Sequence, residues 1–121
     1  MCPARQLGQV SAGIAHLHEQ NIIHGDLKGA NVLVFNGPTV KICDFGLSKF
    51  FDGKQSTTPR YSLPWTSPER LNGKPRSFPS DVYAFGMTIY EVCAPVSVIR
   101  VIALTLPPVL DIKRQGSIQY A

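Results

Sequence analysis

A turn, Asn36-Gly37-Pro38, lies between two runs of strand-forming residues, Val32-Leu33-Val34-Phe35 and Val40-Lys41-Ile42-Cys43, and constrains the fold more than any other feature of the chain. Glycine gives the reversal its backbone freedom, and β-branched and aromatic residues favour the strands on either side. The spacing predicts an antiparallel hairpin centred between Gly37 and Pro38. Positions equidistant from the turn then meet, which brings Asn31 and Asp44 together at the open end. An amide oxygen and a carboxylate so placed suit a hard cation that takes one or two carboxylates and fills its octahedron with water and phosphate oxygens. Asp26, five residues before Asn31, falls on the loop feeding this hairpin, where it could reach a reacting hydroxyl as base or orienter.

Two stretches carry the period of helices. Leu7, Val10, Ile14 and Leu17 form one stripe, closed by the polar run Glu19-Gln20-Asn21. Val82, Phe85, Ile89 and Val92 form another behind Ser80, a suitable N-cap, and Tyr83, Met87 and Tyr90 make the opposite side apolar too. Net charge is +4, from 12 basic and 8 acidic residues spread along the chain, so there is no basic stripe and no nucleic-acid partner is expected. The cysteines, Cys2, Cys43 and Cys93, have neither metal-type spacing nor an even count, which fits a reduced, intracellular and cytoplasmic setting. No signal-peptide pattern opens the chain, so secretion is not expected. The apolar run at 95–110, PVSVIRVIALTLPPVL, is shorter than the roughly 20 residues of a membrane span, and membrane contact is not expected.

Three short strings remain: His24-Gly25-Asp26 with Asn31 after it, Asp44-Phe45-Gly46, and Ser67-Pro68-Glu69. With their flanks, 24-HGDLKGANVLV-34, 40-VKICDFGLSK-49, 65-WTSPER-70 and 80-SDVYAFG-86, they resemble a eukaryotic-type protein kinase over residues 5–93, of Ser/Thr type and similar to the tyrosine-kinase-like group. The resemblance implies ATP and Mg2+ as cofactors and a protein substrate whose hydroxyl takes the γ-phosphoryl group. It implies Asp26 as catalytic base, Lys28 on the transferred phosphate, Asn31 and Asp44 as metal ligands, and Lys28, Asn31, Leu33 and Asp44 in nucleotide binding. Ser62 is implied to contact Asp26 and Lys28 in a substrate loop that also holds Trp65. Asp81 is implied to hydrogen-bond the catalytic-loop backbone, with Phe45 and His24 stacked above it. Residues 47 to 79 resemble an activation segment, with Ser56, Thr57 and Thr58 as candidate phosphosites.

No glycine-rich loop, no lysine in a Val-Ala-Ile-Lys strand and no helix glutamate to pair with it precede the first helical pattern. The expected fold is therefore mainly α with a small β-hairpin, a partial protein-kinase-like fold with the C-terminal lobe only and the N-terminal lobe absent. Residues 5–93 would form this partial domain and 94–121 a divergent tail, unrelated to the kinase fold. Gly25 stands where many members of the family carry an Arg that grips an activation-loop phosphate, and Tyr61 where they carry Gly. The functional expectation is a protein kinase that is inactive as this chain alone. Its alternatives are a pseudokinase-like binding or regulatory fragment and the non-functional product of a truncated kinase gene.

Overall fold

The first stripe forms α1 (Ala4–Glu19), whose Val10 and Ile14 are buried while Leu7 and Leu17 are half-buried. The structure, a computed structural model, describes residues 3–37, 39–44, 49–50 (backbone only) and 62–94. Phe45, Gly46, Ser56, Thr57, Thr58, Tyr61 and the tail beyond residue 94 lie outside the described residues. α1 ends where Asn21 turns to φ +57°, a left-handed conformation that Asn accepts more readily than most residues. The chain continues through β1 (Ile22–Ile23) and a loop to a 3-10 turn at Gly29–Asn31, then β2 (Val32–Phe35), β3 (Thr39–Ile42) and β4 (Lys49–Phe50). A 3-10 turn at Leu63–Trp65, the short α2 (Pro68–Leu71) and the long α3 (Phe78–Cys93) complete the described elements.

The strands form two antiparallel pairs, β2 with β3 and β1 with β4. The expectation of a mainly α fold with one small hairpin is thus corrected, because β1 and β4 add a second sheet. Each has only two residues, too few to show a two-residue period in the sequence, and their pairing (Ile22 with Phe50, Ile23 with Lys49) joins distant parts of the chain.

The hairpin also differs in register. Val32 pairs with Ile42, Val34 with Val40 and Phe35 with Thr39, so the centre is Gly37 and not the bond after it. Asn36 (φ +28°) and Gly37 (φ +95°) turn the chain within a three-residue loop, which releases Thr39 to the strand. Asn31 consequently faces Cys43, whose N–H donates to the Asn31 carbonyl at 2.8 Å, and Asp44 lies one step beyond. The two residues still share the open end.

α1 lies across β3, where the Gln9 side-chain oxygen accepts the Val40 N–H at 2.8 Å. Gly13 permits the close approach: a Cβ there would stand 2.8 Å from the Ile42 Cδ1. Val10, Ile14, Leu27 and Ala84 make the buried core, and Leu17, Val32, Val40, Ile42, Trp65 and Phe85 surround it.

α3 begins earlier than its pattern implies. Ser77, not Ser80, is the N-cap; its hydroxyl accepts the Ser80 N–H at 3.1 Å while the Ser80 hydroxyl accepts the Ser77 N–H at 2.9 Å, a reciprocal capping box. Pro79 suits the first turn because it has no N–H to leave unpaired. The buried face is polar and small, Ser80, Asp81, Ala84 and Thr88, whereas Val82, Ile89 and Val92 are exposed together with Tyr83 and Tyr90. The apolar period, which runs on both sides of the helix, therefore marks no inward face, and polar contacts at the loop that follows β1 fix the helix rotation instead. Ser77→Ala is expected to lower unfolding stability by about 1 kcal/mol and Ser77→Gly by only a few tenths, as read from urea denaturation.

Candidate active site

Asp81, in the first turn of α3 and 1% exposed, is where three elements meet. Its Oδ2 accepts the His24 N–H and the His18 Nε2–H, each at 2.8 Å, and its Oδ1 accepts the Gly25 N–H at 3.0 Å. A carboxylate only accepts, so the shared proton sits on the His18 ring. Burying a carboxylate is costly unless donors surround it, and here the backbone of the loop supplies two of them. His18 also rests on the Phe78 ring, with centroids 4.7 Å apart, which ties the end of α1 to the start of α3.

His24 is fully buried and passes this order onward. Its Nδ1 accepts the Asp26 N–H at 3.1 Å, which leaves the ring proton on Nε2, and Nε2 donates to the Cys43 carbonyl at 3.0 Å. One side chain thus sets both Asp26 and the backbone just before Asp44. Between them Gly25 has φ +85°, a conformation glycine adopts without strain.

Four side chains of the sequence-derived site, Asp26, Lys28, Asn31 and Ser62, gather at this loop. The Ser62 hydroxyl donates to Asp26 Oδ1 at 2.7 Å, and Lys28 Nζ donates to the Ser62 hydroxyl at 2.9 Å and stands 3.7 Å from Asp26 Oδ2. Asn31, buried, donates its Nδ2–H to the Asp26 carbonyl at 2.6 Å and lies 3.4 Å from Asp26 Oδ2, so its Oδ1 is the end this contact does not use. Asp44 is exposed with φ +63°, and Leu33 is 42% exposed on β2. Trp65 lies against the core. A small cleft of about 30 Å³ opens beside Asp26, lined by Gly25, Ser62, Trp65, Ser67 and Arg70 among others. The buried Ser67 hydroxyl in this lining has no hydrogen-bond partner among the described residues.

The donor types, an amide oxygen at Asn31 and an exposed carboxylate at Asp44, are of the kind that magnesium takes beside phosphate and water. The described residues hold no group of three or more His, Cys, Asp and Glu side chains suited to a metal. None of their helices is long and apolar enough to cross a membrane.

Residues 4–102 match the protein kinase domain family. The chain belongs to the protein kinase family. That match, which runs over residues 4–102, overturns the reading of the chain as a C-terminal lobe only with the N-terminal lobe absent. The sequence reading rested on the absence of a glycine-rich loop and a strand lysine before the first helical pattern, and the family match does not follow that division. Over 90 residues, 71% of the chain and 18% of the relative, it is 34% identical to the tyrosine-protein kinase SPK-1 of Girardia tigrina. It is 42% identical over 83 residues, 68% of the chain, to a probable serine/threonine-protein kinase of Dictyostelium discoideum, of which it covers 5%. The MAP kinase kinase MKK1/SSP32 of Saccharomyces cerevisiae is 41% identical over 83 residues, 69% of the chain and 16% of that protein. The kinase chain thus spans less than a fifth of the length of these relatives.

His18 and Glu91 were missed by sequence reasoning. Glu91 accepts the Gly29 N–H at 2.8 Å and the Trp65 Nε1–H at 3.1 Å. An acid in the last turn of a helix opposes the helix dipole, and that was the available signal that it serves donors elsewhere. Gly25→Ala is expected to cost about 1–2 kcal/mol in urea unfolding, because a Cβ strains φ +85°.

Proposed function

We propose that this kinase segment takes part in phosphoryl transfer from ATP to a serine or threonine hydroxyl of a protein, with Asp26 as the group that receives or orients the substrate proton. The observation that carries this reading is the closed set of contacts among Asp26, Ser62 and Lys28 at 2.7, 2.9 and 3.7 Å, beside Asn31. A carboxylate held by its neighbours in one geometry spares the reordering that a free side chain would need, and positioning of this kind supplies most of kinase catalysis. Lys28 stands next to that carboxylate as a compact positive charge for the transferred phosphate. Its presence two residues after Asp26 favours Ser/Thr substrates, although the names of the matched relatives include a tyrosine-protein kinase as well as a probable serine/threonine-protein kinase.

Asn31 and Asp44 are the residues that would hold magnesium, which when bound neutralises phosphate charge. Leu33, exposed on β2, offers an apolar contact on the nucleotide side. A protein hydroxyl that approaches the Ser62 side of Asp26 meets a carboxylate already held by Ser62 and Lys28.

Nucleotide binding tests the metal assignment. In titrations of the full chain with an ATP analogue followed by NMR, magnesium is expected to strengthen binding in wild type and to have no such effect in Asp44→Ala. Equal magnesium dependence in the two removes Asp44 from the site. Transfer is tested on the full chain with radiolabelled ATP and a protein substrate. Asp26→Asn is expected to reduce it by about 10²–10⁴-fold, the range of a positioned acid–base group.

A further inference from the structure

Glu91 lies ten residues past Asp81 on α3 and has no part in the contacts around Asp26. Its single oxygen Oε2 nonetheless accepts from two segments far apart in the chain: the Gly29 N–H at 2.8 Å and the Trp65 indole N–H at 3.1 Å. We propose that Glu91 is a positioning residue, whose carboxylate clips the loop at 24–31 to the segment at 62–66 and so holds Ser62 on Asp26. The inference rests on the reading of 62–66 as the substrate loop.

Trp65 and Ser62 belong to one 3-10 turn. The Trp65 N–H donates to the Ser62 carbonyl at 3.0 Å, and the Thr66 hydroxyl donates to the same carbonyl at 2.8 Å. Anchoring the indole therefore fixes the Ser62 backbone, and from there the Ser62 hydroxyl reaches Asp26 at 2.7 Å. On the other side, Gly29 lies between Lys28 and Asn31 by way of Ala30, so its amide anchors the loop segment that bears both.

Gly29 is required for the clip by size. A Cβ at this position would lie 2.7–2.8 Å from the Glu91 Oε2, Cδ and Oε1 atoms. The carboxylate could swing away from a larger side chain, but only by giving up its donors. Gly29 is not among the residues with positive φ, so alanine there meets no left-handed backbone strain, and the nearest atoms it meets are those of the Glu91 carboxylate. Hydrogen bonds to a carboxylate are stronger than neutral ones, and an acid at the C-terminal end of α3 gains nothing from the helix dipole. The two donors account for its place.

Trp65 is the only tryptophan, so the ¹⁵N spectrum of the full chain contains a single indole N–H signal that reports the clip directly. In Glu91→Ala this signal is expected to shift and its exchange with solvent to rise about tenfold or more, with the Ser62 amide shifting in step. Glu91→Gln, which keeps one oxygen able to accept from both donors, is expected to retain most of the protection. Gly29→Ala should reproduce the effect of Glu91→Ala in the wild-type background and add nothing to it in the Glu91→Ala background. Unchanged indole exchange in Glu91→Ala, equal damage from Glu91→Gln, or additive effects of the two alanine substitutions would each overturn the proposal. Should Glu91→Ala not fold, Gly29→Ala and Glu91→Gln give the same comparison. None of these measurements needs nucleotide, so loss of the magnesium assignment at Asp44 leaves the clip standing, and loss of the clip leaves that assignment untouched.

Discussion

The buried carboxylate of Asp81 is the constraint on which the rest of the arrangement depends. Two oxygens take three N–H donors, from the end of α1, from His24 and from Gly25, at 2.8–3.0 Å. A charge at 1% exposure must be met in this way or be expelled, so the loop at 24–26 has little freedom to take another path. Position near the N-terminus of α3 adds the favourable end of the helix dipole. From Asp81 the order passes through the His24 ring to the Asp26 backbone on one side and to Cys43, next to Asp44, on the other. The backbone at Asp26 and at Cys43 is thereby set by one internal acid that touches neither.

Much of this was legible in the sequence wherever a local rule acts alone. The α1 stripe gave Val10 and Ile14 as buried, and the turn at Gly37 gave both strands of the hairpin. The contacts of Ser62 with Asp26 and Lys28, and of Asp81 with the loop backbone, were implied by the resemblance to the kinase family and not by any local rule. The failures lie where two local rules compete or where no local rule exists. Ser77 and Ser80 are both sound N-caps, and only their reciprocal hydrogen bonds decide between them. A one-residue difference in loop closure moved Asn31 from Asp44 to Cys43, because hairpin register follows turn geometry and not strand composition. The pairing of β1 with β4 leaves no periodic trace at two residues each.

The rotation of α3 shows tertiary contacts overriding an apolar pattern. Its inward face carries Ser80, Asp81, Ala84 and Thr88, and Thr88 satisfies its own hydroxyl by donating to the Ala84 carbonyl at 2.8 Å. Turning the helix to bury Val82, Ile89 and Val92 would withdraw Asp81 from its donors and Glu91 from Gly29 and Trp65. Asp81 is fully committed to its donors, and a buried charge left unpaired costs about 3–5 kcal/mol. The helix therefore faces the loop with its polar side. Kinase-family membership accords with a helix whose inward surface serves a site and not only a core.

Amide hydrogen exchange at His24 and Gly25, compared between wild type and Asp81→Asn, tests this organisation most directly. Asparagine keeps the shape but replaces one accepting oxygen with an NH₂ donor, so three donors can no longer be met. The expected result is that both amides are protected in wild type and lose protection by about tenfold or more in the variant, while Val10 and Ile14 in α1 keep theirs. Unchanged protection at His24 and Gly25 in Asp81→Asn would contradict the claim that this carboxylate holds the loop.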